Sequence, residues 1–282
     1  MSAQAPKRRK RKLRPEPRAA SWTLRYAVLA LIVVLAAAAL LGLAFRGNIH
    51  LALGAGGLAL DGLMLLTLAP LYRERRLRPR DLGLKPTAPA SAVGWVVLAV
   101  ILVAIANSLW LQGVLGKPVQ SLGITLRAGT LETILIGITL VISAPVVEEI
   151  FFRGLRYRAL RNRMAMVPAA LIAGFVFGAV HGMAYPLNTL PPRMVFGVIV
   201  CLLYERTGSL YPGMALHGLI DGAGFEAAIS GKIGVAYAAY GILALILLGY
   251  AATRRLHARS TRIRSGRTSS EAATTRSSRL PA

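Results

Sequence analysis

Hydrophobic residues along this chain gather into long runs that short polar segments separate. A helix that crosses a bilayer needs about 20 predominantly apolar residues. Seven runs meet or approach that length, and an eighth run, "MVFGVIVCLLY", is shorter. The pattern predicts an all-α membrane protein, a polytopic bundle of about eight transmembrane helices, over residues 26–45, 49–70, 92–115, 131–152, 166–182, 194–204, 209–229 and 233–252.

Composition and charge agree with a membrane protein and orient it. The 282 residues are 55% hydrophobic with a mean hydropathy of +0.56, more apolar surface than a soluble domain of this length could bury. If the N-terminus is cytoplasmic, 29 of the 34 Lys and Arg residues fall on the cytoplasmic side of the eight helices. The positive-inside rule therefore predicts that both termini are cytoplasmic. The five cations left outside are Arg46, Lys117, Arg127, Arg193 and Lys232.

The two ends of the chain are basic. The N-terminal "KRRKRKLR" resembles a nucleic-acid patch, but beside a membrane helix such a cluster orients the chain and contacts anionic lipid, so no nucleic-acid partner is expected. The C-terminal end is rich in Arg, Ser and Thr and is expected to be disordered. The predicted divisions are a cytoplasmic tail 1–24, helices 1–3 in 25–129, a core of helices 4–7 in 130–228, the last helix in 229–253 and a tail 254–282.

The fourth apolar run contains three charged residues, in the stretch "SAPVVEEIFFRG" at residues 143–154. A charge at the centre of a membrane helix costs roughly 2.5 to 3.5 kcal/mol on insertion scales, so such residues usually mark a pathway or a reaction centre. Glu149 and Arg153 are four residues apart and can pair on one helix face. Glu148 lies about 100° round the helix axis and remains available.

The depth of these residues in the membrane predicts where the fourth helix ends. If that helix ended at Phe152, Glu148 would lie only about 6 Å from its cytoplasmic end, whereas His181 lies about 20 Å along the next helix, at 1.5 Å per residue. We therefore expect the fourth helix to continue to about Arg161. Arg153 should then be buried and paired with Glu149.

Two of the chain's four histidines lie in apolar helices. His181, in "FVFGAVHG", follows Phe177 by one helical turn, and His217, in "GMALHGLIDGAG", precedes Asp221 by one turn. A lone membrane histidine is usually a packed, hydrogen-bonded residue. Two histidines together with acids on three separate helices are expensive to bury for packing alone, which favours a functional site.

Glycines accompany both histidines at a spacing of four residues. They are Gly174, Gly178 and Gly182 in the fifth run, and Gly218 and Gly222 in the seventh. Small residues at this spacing allow membrane helices to approach closely. Such packing would bring the polar faces of the helices together.

These residue types fit hydrolysis by an activated water molecule. A buried carboxylate beside a neutral imidazole can act as a general base, and a second imidazole with a polar group one turn away can stabilise an oxyanion. No cofactor is needed for that chemistry. Zinc is the alternative, bound by Glu148, His181 and His217, although the sequence lacks HEXXH. The single cysteine, Cys201, excludes a disulfide framework and a thiolate metal cluster.

The stretches "EEIFFRG", "FGAVH" and "HGLID" resemble the three motifs EExxxR, FxxxH and HxxxN/D of the CPBP family of intramembrane proteases. That family includes the CAAX prenyl endopeptidases of the Ras-converting type and the bacterial abortive-infection and bacteriocin-processing group. The resemblance covers roughly residues 130–228. It implies an endopeptidase that cuts a peptide or a membrane-anchored protein near the membrane surface, in a cavity open towards the cytoplasm or the bilayer.

The resemblance also implies roles for single residues. Glu148 would activate water with His181, and His217 with Asp221 would stabilise the oxyanion. Glu149 and Arg153 would hold the first motif in place, and Phe177 would shape the site. Asp221 departs from the Asn of the characterised processing enzymes, and an Asp donates a hydrogen bond only when protonated.

Other interpretations and other acidic residues remain open at this point. A non-catalytic scaffold or immunity protein could keep the same polar cluster, and a secondary transporter would show repeated halves, which the sequence lacks. In a bacterial plasma membrane without protein prenylation, the substrate would be a secreted peptide, a bacteriocin precursor or a membrane protein. Asp61 is expected to cap a helix or bond a neighbouring one, Glu132 and Glu205 to be solvated, and Glu226 to line an outer opening.

Overall fold

The structure is a computed structural model that describes residues 22–74, 77–116 and 128–230. Nearly all of the predicted N-terminal tail, the predicted last helix 233–252 and the C-terminal tail lie outside the described residues.

The described part of the chain is built from long helices, which confirms the predicted all-α membrane fold. Six of them, α1 to α6, are long and apolar enough to cross a membrane, so this is an integral membrane protein. The weakest predicted span, 194–204, belongs to a helix of 21 residues. The total of eight spans stays a prediction. The helices are α1 Leu24–Ala44, α2 Ile49–Arg73, α3 Ala92–Val114, α4 Thr130–Arg161, α5 Met166–Met183, α6 Leu187–Thr207 and α7 Tyr211–Ser230.

Helix α4 runs unbroken for 32 residues, from Thr130 to Arg161. This confirms the predicted continuation past Phe152. Pro145 lies inside the helix, where a proline lacks a backbone donor. Wider π-helical turns flank it at Thr139–Ser143 and Glu149–Tyr157. Such turns are frequent at functional sites, and here the second one carries Glu149 and Arg153.

The cytoplasmic end of α4, in the predicted orientation, is tied to α6 by polar side chains. Arg161 Nε lies 2.6 Å from Glu205 Oε1, and the Tyr157 hydroxyl donates to the same oxygen at 2.9 Å. The prediction that Glu205 is solvated is therefore wrong, because a neighbouring helix supplies its partners. Glu132, at the other end of α4, accepts hydrogen bonds from Asn48 and from the Gly129 backbone.

Glycine sets the distance between α5 and α6. A Cβ atom added to Gly178 would lie 2.2 Å from Met194 Cγ and 2.6 Å from the Met194 backbone nitrogen. One added to Gly174 would lie 2.4 Å from Val198. The predicted close approach therefore occurs between these two helices, and it holds the Phe177 face of α5 against α6.

A methyl group at Gly178 should destabilise the protein, because it forces α5 away from α6. We expect Gly178→Ala to cost about 1–3 kcal/mol, the usual cost of overpacking. Thermal unfolding in detergent and the yield of folded protein measure the effect. Gly94→Ala in α3 is the matched control, since a Cβ at Gly94 would meet nothing within 4 Å. Equal stability of the two variants would contradict the assigned packing.

Candidate active site

The polar cluster is organised around one buried carboxylate, that of Glu149. Its Oε1 atom accepts from Arg153 Nη1 at 2.8 Å and from His217 Nδ1 at 3.1 Å. The side chains of Glu149 and Arg153 are 0% and 1% exposed, which confirms the predicted buried pair. Gly213 allows α7 to approach, since a Cβ there would lie 3.1 Å from Glu149 Oε2. Glu149 thus connects α4 to α7.

Arg153 extends the same connection to α5 and α6. Its Nη2 atom donates to the Gly197 carbonyl oxygen at 3.3 Å. Its guanidinium carbon lies 4.3 Å from the centre of the Phe177 ring and 5.8 Å from that of Phe196. A desolvated guanidinium over an aromatic face is favourable by about 2 kcal/mol. One arginine therefore contacts two neighbouring helices as well as the acid on its own helix.

His217 is held at both ring nitrogens. Nδ1 donates to Glu149, while Nε2 lies 3.3 Å from Asp221 Oδ2 and 4.0 Å from Glu148 Oε2. The ring packs edge-on against Phe196, with 5.0 Å between ring centres. The orientation of the imidazole is consequently fixed by Glu149, and its second nitrogen faces the two remaining acids.

Glu148 differs from Glu149 in lacking the ion pair with Arg153. Glu148 Oε2 is buried and makes no hydrogen bond to any described residue, and the same is true of Glu149 Oε2. A buried carboxylate oxygen normally has a partner in the protein or in ordered water. Glu148 lines a cavity and its side chain is 16% exposed, whereas that of Glu149 is fully buried, so of the two acids it is Glu148 that an entering molecule can reach.

His181 lies at the end of α5, in a final 3-10 turn. Its Nδ1 atom lies 2.7 Å from the Phe177 carbonyl oxygen, which can only accept. A neutral His181 therefore carries its proton on Nδ1 and has a free acceptor at Nε2. Phe177 separates the two histidines, with ring centres 4.8 Å from His181 and 5.8 Å from His217.

A cavity of about 740 Å³ connects the predicted site residues. Glu148, Phe177, His181, His217 and Asp221 line it, while Glu149 and Arg153 lie behind its wall. The structure thus brings all seven predicted residues into one region. Among the described residues no hydrogen bond joins Glu148 to His181, so a molecule between them would have to complete that contact.

The cavity is also lined by Asp61 and Arg193, which the sequence interpretation assigned elsewhere, and by Tyr185, which it did not single out. Asp61 lies within α2 and is 5% exposed. Its side chain is hydrogen-bonded to Ser143 of α4, which agrees with the expected bond to a neighbouring helix, while its Oδ2 has no partner among the described residues. Glu226, expected at an opening, is not part of the lining. Of these residues, Tyr185 had one signal in the sequence that could have revealed it: it follows His181 by four residues, one helical turn.

The donor atoms do not form a metal-binding set in this geometry. Across the described ranges, no three His, Cys, Asp or Glu side chains are grouped so that they could hold a metal ion. His217 turns one nitrogen to Glu149 and the other to Asp221, and His181 uses Nδ1 for a backbone carbonyl. The alternative zinc set therefore does not fit the arrangement seen here, and no chemical step is derived through zinc.

The fold and this cluster define a class of protein: a helical membrane protein with a carboxylate–imidazole site inside the bundle. Residues 130–223 match the family model of the type II CAAX prenyl endopeptidases, Rce1-like. The match confirms the resemblance of the three motifs: this segment is similar to the CAAX-type proteases. It covers about a third of the chain.

One curated relative is similar over part of the chain. It is an uncharacterized 24.3 kDa protein of Escherichia coli, 34% identical over 88 residues, which make up 30% of this chain and 41% of that protein. The chain thus covers less than half of the relative's length. No solved structure matches.

Breaking the buried pair should destabilise the fold. We expect Arg153→Gln and Glu149→Gln each to cost about 3–5 kcal/mol, because each leaves an uncompensated buried charge. The double variant should cost clearly less than the sum of the two, since neither charge remains. Thermal unfolding of the four purified proteins measures this coupling. Additive losses, or an Arg153→Gln protein as stable as wild type, would contradict the central role of the pair.

Proposed function

We propose that this protein is an intramembrane endopeptidase in which Glu148 activates water for hydrolysis of a peptide bond. The observation that carries the proposal is the buried, unpartnered Oε2 of Glu148, on the wall of a large cavity next to a fixed imidazole. The Glu148 carboxylate can therefore accept a proton from water. Its neighbour Glu149 already accepts hydrogen bonds from Arg153 and His217.

The proposed reaction begins with a water molecule between Glu148 and His181. Glu148 accepts one proton of that water, and the free Nε2 of His181 accepts a hydrogen bond from it. The water oxygen forms a bond to the substrate carbonyl carbon, whose π electrons move to the carbonyl oxygen. The proton held by Glu148 then passes to the leaving amide nitrogen as the C–N bond breaks. Atoms and charge balance without a further reactant.

His217 and Asp221 are the proposed stabilisers of the oxyanion. His217 Nδ1 donates to Glu149, and its Nε2 lies within hydrogen-bond reach of Asp221, so these two groups share at least one proton at the cavity surface. A proton in that position can be turned towards a developing negative charge. This arrangement explains how an Asp can stand where the processing enzymes have Asn.

The proposed setting is a bacterial plasma membrane, with both termini in the cytoplasm and the basic tails on anionic lipid. The substrate would be a peptide or membrane-anchored protein, cut near the membrane surface. The alternatives are a zinc-dependent version of the same endopeptidase and a non-catalytic scaffold or immunity protein. Each of them predicts a different result in the experiment that follows.

The decisive measurement is cleavage of a quenched fluorescent peptide library by the detergent-purified protein. We expect Glu148→Gln to lower the rate by about 10²–10⁴-fold, the usual contribution of a general base. Wild-type activity should survive a zinc chelator. Glu226→Gln is the matched control, because Glu226 also has a buried unpartnered oxygen in α7 but does not line the cavity.

Three results would overturn the proposal in different ways. Loss of wild-type activity on chelation would favour the zinc enzyme. Equal activity of wild type and Glu148→Gln would remove Glu148 from the reaction. Silence of the wild-type protein, on a library that a CAAX-type protease cuts under the same conditions, would favour the scaffold.

The oxyanion proposal has its own test at Asp221. Asp221→Asn supplies a permanent donor of nearly the same shape, so we expect it to keep activity within about tenfold of wild type. Asp221→Leu removes the polar group and should lower kcat by about 10²–10³-fold, as loss of one oxyanion donor does. Steady-state rates of the two variants, with unfolding temperatures as a control, decide the matter. Equal activity of the two would rule out a polar role for Asp221.

A further inference from the structure

Arg193 is a cation on the cavity wall without an acidic partner. It lies in the first turn of α6, and its Nη1 atom donates to the Thr189 carbonyl oxygen at 2.7 Å. No Asp or Glu of the described ranges forms an ion pair with it. Arg153 and Arg161, by contrast, each meet a glutamate. Arg193 therefore brings to the cavity wall a positive charge that no described carboxylate neutralises through an ion pair.

Tyr185 holds this guanidinium in place. The guanidinium carbon of Arg193 lies 4.0 Å from the centre of the Tyr185 ring, close enough for a cation–π contact. Both side chains line the cavity. Burial raises the pKa of Tyr185 above its ordinary value, so its hydroxyl stays protonated and can donate a hydrogen bond. Two donors, one of them charged, thus occupy the same part of the wall.

A short series of ring contacts connects this pair to the proposed reaction centre. The Tyr185 ring centre is 6.1 Å from that of His181, and the guanidinium carbon of Arg193 lies 4.0 Å from the Tyr185 ring centre. An extended peptide advances about 3.3 Å per residue. A peptide bound at His181 would therefore reach Arg193 within about three residues of the bond that is cut.

We propose that Arg193 and Tyr185 form a carboxylate-binding subsite of the reaction cavity. A guanidinium presents paired N–H groups that match the two oxygens of a carboxylate, and the apolar wall strengthens such a bond by excluding water. The carboxylate is either the free C-terminus of the substrate or an acidic side chain close to the cut. This assignment rests on the proposed endopeptidase function and adds the chemical class of substrate to it.

The subsite makes a specific prediction about substrate choice. A quenched apolar peptide that wild type cuts is prepared in three forms: with a free C-terminal carboxylate, with a C-terminal carboxamide, and as the carboxamide with Glu as its last residue. We expect wild type to cut one or both carboxylate forms at least about tenfold faster than the plain amide, measured as kcat/KM. The two carboxylate forms distinguish a terminal from a side-chain carboxylate.

Variants at Arg193 assign that preference to the subsite. Arg193→Gln should bring the acid-to-amide ratio of kcat/KM close to one, while Arg193→Lys keeps part of the preference. Because both substrates are measured with the same variant, the ratio cancels any change in its overall rate. Arg206→Gln is the matched control, because Arg206 also lies over an aromatic ring, that of Trp95, but does not line the cavity. A wild-type ratio near one, or an unchanged ratio in Arg193→Gln, would overturn the subsite.

A binding measurement separates failure of the subsite from failure of the proposed function. In the Glu148→Gln protein, which should not cut, the acid form of the peptide is expected to raise the unfolding temperature more than the amide, and Arg193→Gln should abolish the difference. If wild type cuts no peptide but this difference is present, the subsite stands and the endopeptidase function falls. If the difference is absent, the subsite falls whatever the activity.

Discussion

The structure depends on keeping a negative charge in the middle of an apolar bundle. Glu149 is fully buried, and Arg153 and His217 both donate to one of its oxygens. Two charges taken out of water repay their desolvation only when geometry and additional hydrogen bonds are good. Here the additional contacts come from other helices, namely the Gly197 carbonyl and the Phe177 ring. The pair therefore specifies which helices meet and at what depth.

Close packing and chemistry are linked by this requirement. Arg153 can reach α5 and α6 only because Gly174 and Gly178 let these helices approach each other, and Gly213 lets α7 reach Glu149. The same approach turns His217 so that its second nitrogen faces the cavity. A catalytic group needs this kind of support, because a side chain held by its neighbours reacts without first being ordered.

The contrast between two adjacent acids shows how a helix can divide structural and reactive roles. Glu149 faces the bundle and pairs with Arg153 there, while Glu148, about 100° away, lines the cavity and has no such ion pair. The cavity is not made by the family-matched segment alone. Asp61 of α2 and Val96 of α3 also line it, so helices outside residues 130–223 shape what can bind.

The sequence by itself determined the class of fold and the pairing of Glu149 with Arg153, because hydrophobic run length and helical periodicity are local properties. The three motifs were readable for the same reason, since each lies within one helix. The length of α4 followed from comparing the depth of Glu148 with that of His181 in the next helix. Only the tertiary structure decided that His217 binds Glu149, that Glu205 meets Arg161 and that Arg193 faces the cavity with Tyr185. These contacts join different helices, or the two ends of a loop. Which residues meet in such a contact depends on the rotation and depth of each helix. Side-chain packing sets both, and no local sequence pattern indicates them.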